Sequence, residues 1–312
     1  MISCVDFIPS YSELFSFLDE RYGYEEVKNF WTYLFKPDGK GIPLINFLKK
    51  DGLRGAWNYW VGTLKEEAAD TTRWFNEKEG WIRSRMHYCP SKGRLLELEK
   101  ELGIKPYPHY CDHCDYYRAA LEMEGFCSVR DHLDVDKAAC NAIIYDPKVF
   151  KGIMTMDDDV EILECSSKNL EYFHPDFHSS LNMGIHYLGD KFGEKVLVDY
   201  LTRYTRNVYQ KVLAAIKTEG LAAVEGNIQE TYQKEKAPDA VKTERTDGVL
   251  KVAVAYCPAV KHLRKTGRDV TKWYPYTTTV IMSVLAEAAG CRFTMESYDE
   301  ETGAARYRFD TV

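Results

Sequence analysis

The chain has 312 residues, which is enough for about two domains of roughly 100–200 residues each. Apolar residues make up 45% and charged residues 29% of it, a composition typical of folded proteins that excludes an intrinsically disordered chain. The 41 basic and 48 acidic residues give a net charge of −7 without a long basic cluster, so we expect no binding to nucleic acid or to an anionic membrane.

The first predicted elements are amphipathic helices. Ser10 and Glu13 have the spacing of a capping box at a helix N-terminus, and Gly52 stands where a helix is expected to end. A strand is predicted over residues 81–88, before the Cys89-Pro90 pair. A short helix follows this pair, a longer helix comes next, and a hairpin closes the series.

The same series is predicted again in the second half of the chain. Six segments match in the same order and at nearly constant spacing: 17–23 with 187–193, 51–53 with 219–221, 88–90 with 256–258, 107–108 with 274–275, Gly125 with Gly290, and 141–146 with 305–310. The pattern predicts two diverged tandem copies of one α+β unit, each with a helical layer packed on a small antiparallel sheet. We expect the first copy over 1–150, a connector over 151–172 and the second copy over 173–312.

The sequence also carries expectations about compartment and cysteine chemistry. No apolar run reaches the roughly 18–20 residues that span a bilayer, and we expect no signal peptide because the basic and apolar regions of one are not found. A cytoplasmic location is therefore expected. Nine cysteines, an odd number, then favour thiols, metal ligands or catalysis over a disulfide framework.

Four cysteines follow one another in the first copy as Cys111-x2-Cys114-x12-Cys127-x12-Cys140. Four thiolates can hold zinc tetrahedrally, and a Cys-x-x-Cys turn supplies two of them. A helix N-terminus at this turn would lower the thiol pKa values. A redox role for Cys111 and Cys114, and plain core packing, are the alternatives. The second copy has Thr278 and Ile281 in place of the first two cysteines, so any zinc site belongs to the first copy.

The Cys89-Pro90 pair recurs as Cys257-Pro258. A proline after a strand ends the strand and begins the next helix, which gives the pair a structural explanation. Cys89 is also a candidate nucleophile. His87 would be its partner, because alternate residues of a strand point to the same face.

A polar stripe begins the second copy. His178, Asn182 and His186 are spaced four residues apart and so lie on one face of a predicted helix. Such a stripe could bind a substrate or a metal. The simpler interpretation is a solvated helix start with Asp176 as the N-cap residue.

Cys89-Pro90, the cysteine turn at 111–115 and the closing strand at 140–145 carry a resemblance to a known family. Each copy resembles the L-2-amino-thiazoline-4-carboxylate hydrolase-like family and, more distantly, the 4-vinyl-reductase-type small-molecule-binding domain. The first copy matches over roughly residues 85–146, and the second over 254–309. The resemblance implies ring-opening hydrolysis of a small nitrogen- and sulfur-containing heterocycle, or binding of a small aromatic ligand beside a cysteine-held zinc.

Three functions follow as hypotheses. The first is a hydrolase for a small C–N or C–S substrate, with Asp112 or Asp115 as general base, or with Cys89 as nucleophile. The second is a non-catalytic small-molecule or metal sensor, and the third is a thiol redox protein. The expected partner is a small molecule, and formation of a homo-oligomer is left open.

Overall fold

The computed structural model describes residues 1–36 and 43–312. Its α-helices, in chain order, are α1 Phe7–Tyr22, α2 Tyr24–Leu34, α3 Leu44–Glu66, α4 Pro90–Leu102, α5 Tyr117–Met123, α6 Phe177–Phe192, α7 Glu194–Val208, α8 Gln210–Glu219, α9 Leu221–Lys234, α10 Pro258–Lys265 and α11 Tyr276–Ala288.

The strands of the described chain form two antiparallel sheets. They are β1 Asp70–Asn76, β2 Trp81–Tyr88, β3 Cys127–Asp134, β4 Ala139–Tyr145, β5 Glu161–Cys165, β6 Val241–Thr246, β7 Val249–Val254, β8 Cys291–Tyr298 and β9 Ala305–Thr311. The first sheet has the order β3-β4-β2-β1-β5 and the second the order β6-β7-β9-β8. Helices and antiparallel strands in this arrangement confirm the predicted α+β class.

Two compact units divide the chain. One comprises Leu18–His174, and the other comprises Met1–Phe17 together with Pro175–Val312. The expected boundaries differ at two places. Residues 1–17 group with the second half of the chain, and the expected connector contains β5, which pairs with β1 as the edge strand of the first sheet.

The Leu18–His174 unit has its core between α3 and the first sheet. Leu48, Trp57 and Leu64 of α3 are buried with Phe75 and Ile82 of the sheet. Helix α3 is broken at Asp51 and Gly52, where the backbone leaves the helical conformation. In the other unit, α9 and α11 contact the second sheet. Each unit therefore buries its apolar residues between helices and one face of its sheet.

The two units repeat the same local features. The order β3-β4-β2-β1 of one sheet corresponds to β8-β9-β7-β6 of the other. Gly23 and Gly193 break consecutive helices with φ of 84° and 86°, a conformation that glycine adopts without strain. Register shifts fall between Arg130 and His132 in one closing hairpin and between Met295 and Ser297 in the other. These features are what a duplication requires, and common descent of the two units stays a prediction.

Two glycines of α3 make a matched pair for testing the packing of this helix. A Cβ atom at Gly55 would overlap the backbone carbonyl of Phe47, whereas a Cβ atom at Gly62 would meet nothing within 4 Å. We expect Gly55→Ala to lower the free energy of unfolding by about 1–3 kcal/mol through overpacking. Gly62→Ala should raise it by up to about 1 kcal/mol because alanine favours the helix.

Urea unfolding of the two alanine variants beside the unchanged protein measures both values. Equal effects of the two substitutions would contradict the packing at Gly55.

Candidate functional site

In the Leu18–His174 unit, the best candidate for a catalytic pair of side chains lies in the 3-10 helix Tyr110–Tyr116. The Sγ atom of Cys114 lies 3.6 Å from Nε2 of His113. The other ring nitrogen of His113, Nδ1, is bonded to the carbonyl oxygen of Tyr110. A carbonyl only accepts, so Nδ1 carries the proton and Nε2 presents a lone pair to the thiol. The pair therefore has the geometry of a thiol beside a general base.

Both members of the pair are desolvated. Burial raises the pKa of Cys114 to about 12, against the opposing effect of Arg130. Burial also lowers the pKa of His113 below its usual 6.5. Cys114 nevertheless keeps an exposed surface. A ligand can therefore reach Cys114 although protein groups surround the thiol.

More thiols lie near Cys114. Cys89 is the N-cap residue of α4, and its Sγ accepts a hydrogen bond from the backbone N–H of Lys92 at 3.5 Å. Burial raises the pKa of Cys89, and the nearby Cys114 and Cys140 raise it further. Burial likewise raises the pKa of Cys140 to about 11. The three thiols are therefore neighbours, and each is protonated at neutral pH.

A buried arginine, Arg73, lies beside the thiols with two of its nitrogens unpaired among the described residues. Arg73 of β1 is 7% exposed, and its Nε and Nη1 atoms are buried with no hydrogen-bond partner in the described chain. Burial lowers its pKa to about 10, and the neighbouring Cys140, Cys165 and Glu67 oppose this shift. A buried guanidinium with unused donors is costly for the folded protein, and it is well suited to bind an anion.

Aromatic side chains connect the arginine to Cys114. The guanidinium of Arg73 lies over the ring of Trp60, 5.2 Å from the ring centre. The ring centres of Trp60 and Tyr117 are 5.9 Å apart. Burial raises the pKa of Tyr117, and the nearby Cys114 adds to this shift. We name this group of Cys114, His113, Arg73, Trp60 and Tyr117 the thiol recess. It combines a nucleophile, a base, a cation and flat apolar surfaces, which suits a small planar anionic ligand.

The predicted zinc ligands are not all brought together. Cys127 begins β3 opposite Tyr145, whereas Cys140 stands near the other end of the hairpin, opposite Leu133. The five residues that separate these pairs along β4 span roughly 16 Å at about 3.3 Å per residue. A zinc ion binds its ligands at about 2.3 Å or less, so one ion cannot contact both sulfurs. The four-cysteine zinc site does not fit this structure.

The thiol pKa values also correct an expectation. The helix start at the cysteine turn was expected to lower them, but burial raises the pKa of Cys111 and of Cys114 to about 12. Desolvation exceeds any effect of the short helix because the thiolate is poorly stabilised away from water.

The other predicted catalytic residues have separate partners. His87 is exposed, and its ring is bonded to Thr72 Oγ1 at 2.9 Å, so it does not share the surroundings of Cys89. Asp112 accepts hydrogen bonds from Tyr24 and from the ring of His109. Asp115 is paired with Arg130 at 2.7 Å. Both carboxylates are thus hydrogen-bonded to neighbouring side chains. His113 is better placed than either of them to take the proton of Cys114.

The predicted polar stripe of α6 divides into three environments. His178 is 1% exposed and bonded to Glu235. Asn182 is buried and bonds the backbone of Asp269 and Thr271 through its amide group. His186 is half-exposed and lies 3.5 Å from Asp190. These three residues therefore do not line one shared substrate cleft.

Sequence reasoning missed Arg73 and Trp60 and did not pair Cys114 with His113. Thr71, Arg73 and Phe75 are alternate residues of β1 and therefore point to the same face of the strand, and all three are buried. This spacing alone would have placed Arg73 on the buried face. The contact between Cys114 and His113 depends on the 3-10 geometry of their segment, which the spacing of the cysteines does not specify.

Comparison of the chain with family models, with curated proteins and with solved structures gives no match. All nine cysteines are free thiols. Among the described helices, none is long and apolar enough to cross a membrane.

Proposed function

We propose that the protein is a cysteine-dependent hydrolase of small planar C–N or C–S compounds that carry an anionic group. The observation that carries this proposal is the 3.6 Å contact between Cys114 Sγ and His113 Nε2. Supporting it, Arg73 lies near Cys140, which is also a neighbour of Cys114, and has Nε and Nη1 unpaired among the described residues. Each residue of the thiol recess has one task in the proposed reaction.

The substrate binds through charge and shape. A carboxylate of the ligand can accept two hydrogen bonds from Arg73, which would satisfy Nε and a terminal nitrogen together. Trp60 and Tyr117 offer flat surfaces to a planar ring. These contacts hold the reacting carbon near the thiol and so reduce the entropy lost in reaching the transition state.

The chemistry has two balanced steps. His113 Nε2 takes the proton of Cys114 as the sulfur attacks the electrophilic carbon, and the C–N or C–S bond breaks with that proton transferred to the leaving nitrogen or sulfur. Water then attacks the thioester-type intermediate. His113 takes a proton from the water and returns it to the departing Cys114 sulfur, which restores both groups.

The test is a turnover assay with a panel of small cyclic and acyclic C–N and C–S compounds, each with and without a carboxylate. Products are identified by mass spectrometry, and the intact protein is examined for a covalent adduct. We expect hydrolysis of carboxylated members, an adduct on Cys114 and no turnover by Cys114→Ser. Cys127→Ser is the matched control from the same cysteine segment and should keep its activity.

Activity that survives Cys114→Ser, or an adduct on a different cysteine, would contradict the proposal. Binding of carboxylated compounds without any turnover would favour the small-molecule sensor instead. Reversible reaction of Cys111 and Cys114 with thiol reagents, without hydrolysis of any compound, would favour the redox role instead.

A further inference from the structure

A second buried cluster lies in the unit formed by Met1–Phe17 and Pro175–Val312. It consists of Cys4, His178 and Glu235, which are 1%, 1% and 6% exposed. Each residue offers a potential metal-binding atom, and these three atoms all lie within 4.8 Å of one another. Within residues 1–36 and 43–312, this is the only group of three or more such side chains that meets this distance.

Three separate segments supply the cluster. Cys4 begins a 3-10 helix, His178 lies in the first turn of α6, and Glu235 follows the last residue of α9. One carboxylate oxygen of Glu235 accepts hydrogen bonds from Ser3 Oγ at 2.7 Å and from the backbone N–H of Cys4 at 2.6 Å. These bonds fix the carboxylate as outer-shell partners fix metal ligands.

The other carboxylate oxygen faces the imidazole. Nε2 of His178 lies 2.8 Å from Glu235 Oε2. Nδ1 of the same ring is buried and has no hydrogen-bond partner among the described residues. Nε2 is the ring nitrogen that faces Glu235, so it is the nitrogen that an ion shared with this carboxylate would contact, with the ring proton on Nδ1.

We propose that Cys4, His178 and Glu235 bind a single divalent transition-metal ion of the zinc type. One thiolate and one carboxylate neutralise the two charges of such an ion, so the buried site would carry no net charge. Thiolate and imidazole ligands select zinc-like ions over magnesium and calcium. Three protein ligands leave a fourth tetrahedral position for water or a small ligand.

Metal binding favours the deprotonated thiol, so Cys4 would bind the ion as a thiolate. The site joins the start of the chain to α6 and to the end of α9, so binding should stabilise this unit. It is independent of the thiol recess and of the proposed hydrolase activity.

The probe is Co²⁺, added to the full chain after treatment with a chelator and a thiol reductant. We expect one equivalent to bind and to produce a thiolate-to-cobalt charge-transfer band in the near ultraviolet. Cys4→Ser should remove the band. Glu235→Gln should weaken binding at least roughly 100-fold, since even outer-shell substitutions lower metal affinity about 10–100-fold.

Two controls separate this site from the other cysteines. Cys291→Ser removes a buried thiol of the same unit, and Cys114→Ser removes the central thiol of the recess. Both variants should keep the band. A band that survives Cys4→Ser, or no band in the unchanged protein, would overturn the proposal.

X-ray absorption of the zinc-loaded protein gives a measurement that needs no variant, in case a substitution prevents folding. One sulfur with nitrogen and oxygen ligands is expected. Several sulfurs, or none, would overturn the site.

Discussion

Replacing Arg73 with methionine should make the ligand-free protein more stable and remove its ability to bind anionic substrates. The guanidinium is 7% exposed with Nε and Nη1 unpaired in the described chain. Its pKa is lowered to about 10 from 12.5, and at about 1.4 kcal/mol per unit the charged form is disfavoured by about 3 kcal/mol. Methionine fills a similar volume without a charge, so we expect the free energy of unfolding to rise by about 1–3 kcal/mol.

The control is Arg83→Met in the adjacent strand β2. Arg83 has a partner, Asp131, at 2.8 Å, and its side chain is 23% exposed. Its loss should lower the free energy of unfolding by about 0–1 kcal/mol and leave ligand binding unchanged. Urea unfolding and calorimetric titration with a carboxylated ligand measure the two quantities.

A destabilising Arg73→Met would contradict the unpaired state of the guanidinium. Unchanged binding of the carboxylated ligand would contradict its role as the anion anchor.

Arg73 is expected to lower the stability of the protein while it binds the ligand. This explains why the pattern of apolar residues in the sequence did not identify the site. Patterning assumes that a buried strand position holds an apolar residue, and this assumption works for Phe75 and Ile82 of the same sheet. This assumption fails at a binding site, where a buried charged side chain is retained because the ligand supplies its hydrogen-bond partners. The pattern of apolar residues therefore predicted the sheet and the fold class. The candidate site lies at Arg73, the buried position of β1 that holds a charged residue.

The remaining features that the sequence did not predict depend on contacts between residues far apart in the chain. The turn glycines and the Cys-Pro pairs are local signals, and the helices that begin at Pro90 and Pro258 were anticipated. The pairing of β5 with β1 is not local, because more than 80 residues separate the two strands and β5 alternates only weakly. Spacing alone likewise could not show that Cys127 and Cys140 stand at opposite ends of their hairpin.

Hydrolysis should keep its rate at pH 7 and decline only below pH 6.5. Burial lowers the pKa of His113, while Glu67 and Asp112 raise it and Arg130 lowers it further. Because the imidazole must be neutral to accept the thiol proton, activity is present above the lowered pKa. It is lost about tenfold per pH unit as the pH falls through that value. His113→Gln should reduce kcat/KM by about 10²–10⁴-fold and abolish this acidic limb.

His109→Gln is the control, because His109 lies in the same segment but its ring is bonded to Asp112 and 54% exposed. This variant should keep both the rate and the acidic limb. An acidic limb centred above pH 6.5 would contradict the desolvated imidazole. A limb that persists in His113→Gln would assign the base to another residue.

The thiol gives a second readout that needs no substrate. Burial raises the pKa of Cys114 to about 12, so its thiolate fraction, and with it the rate of alkylation by iodoacetamide, should rise about tenfold per unit from pH 7 to pH 10. Peptide mass spectrometry follows this one cysteine among the nine. A rate that is already constant above pH 7 would mean that Cys114 exists as a thiolate paired with imidazolium, and the proton transfer to His113 would then precede substrate binding.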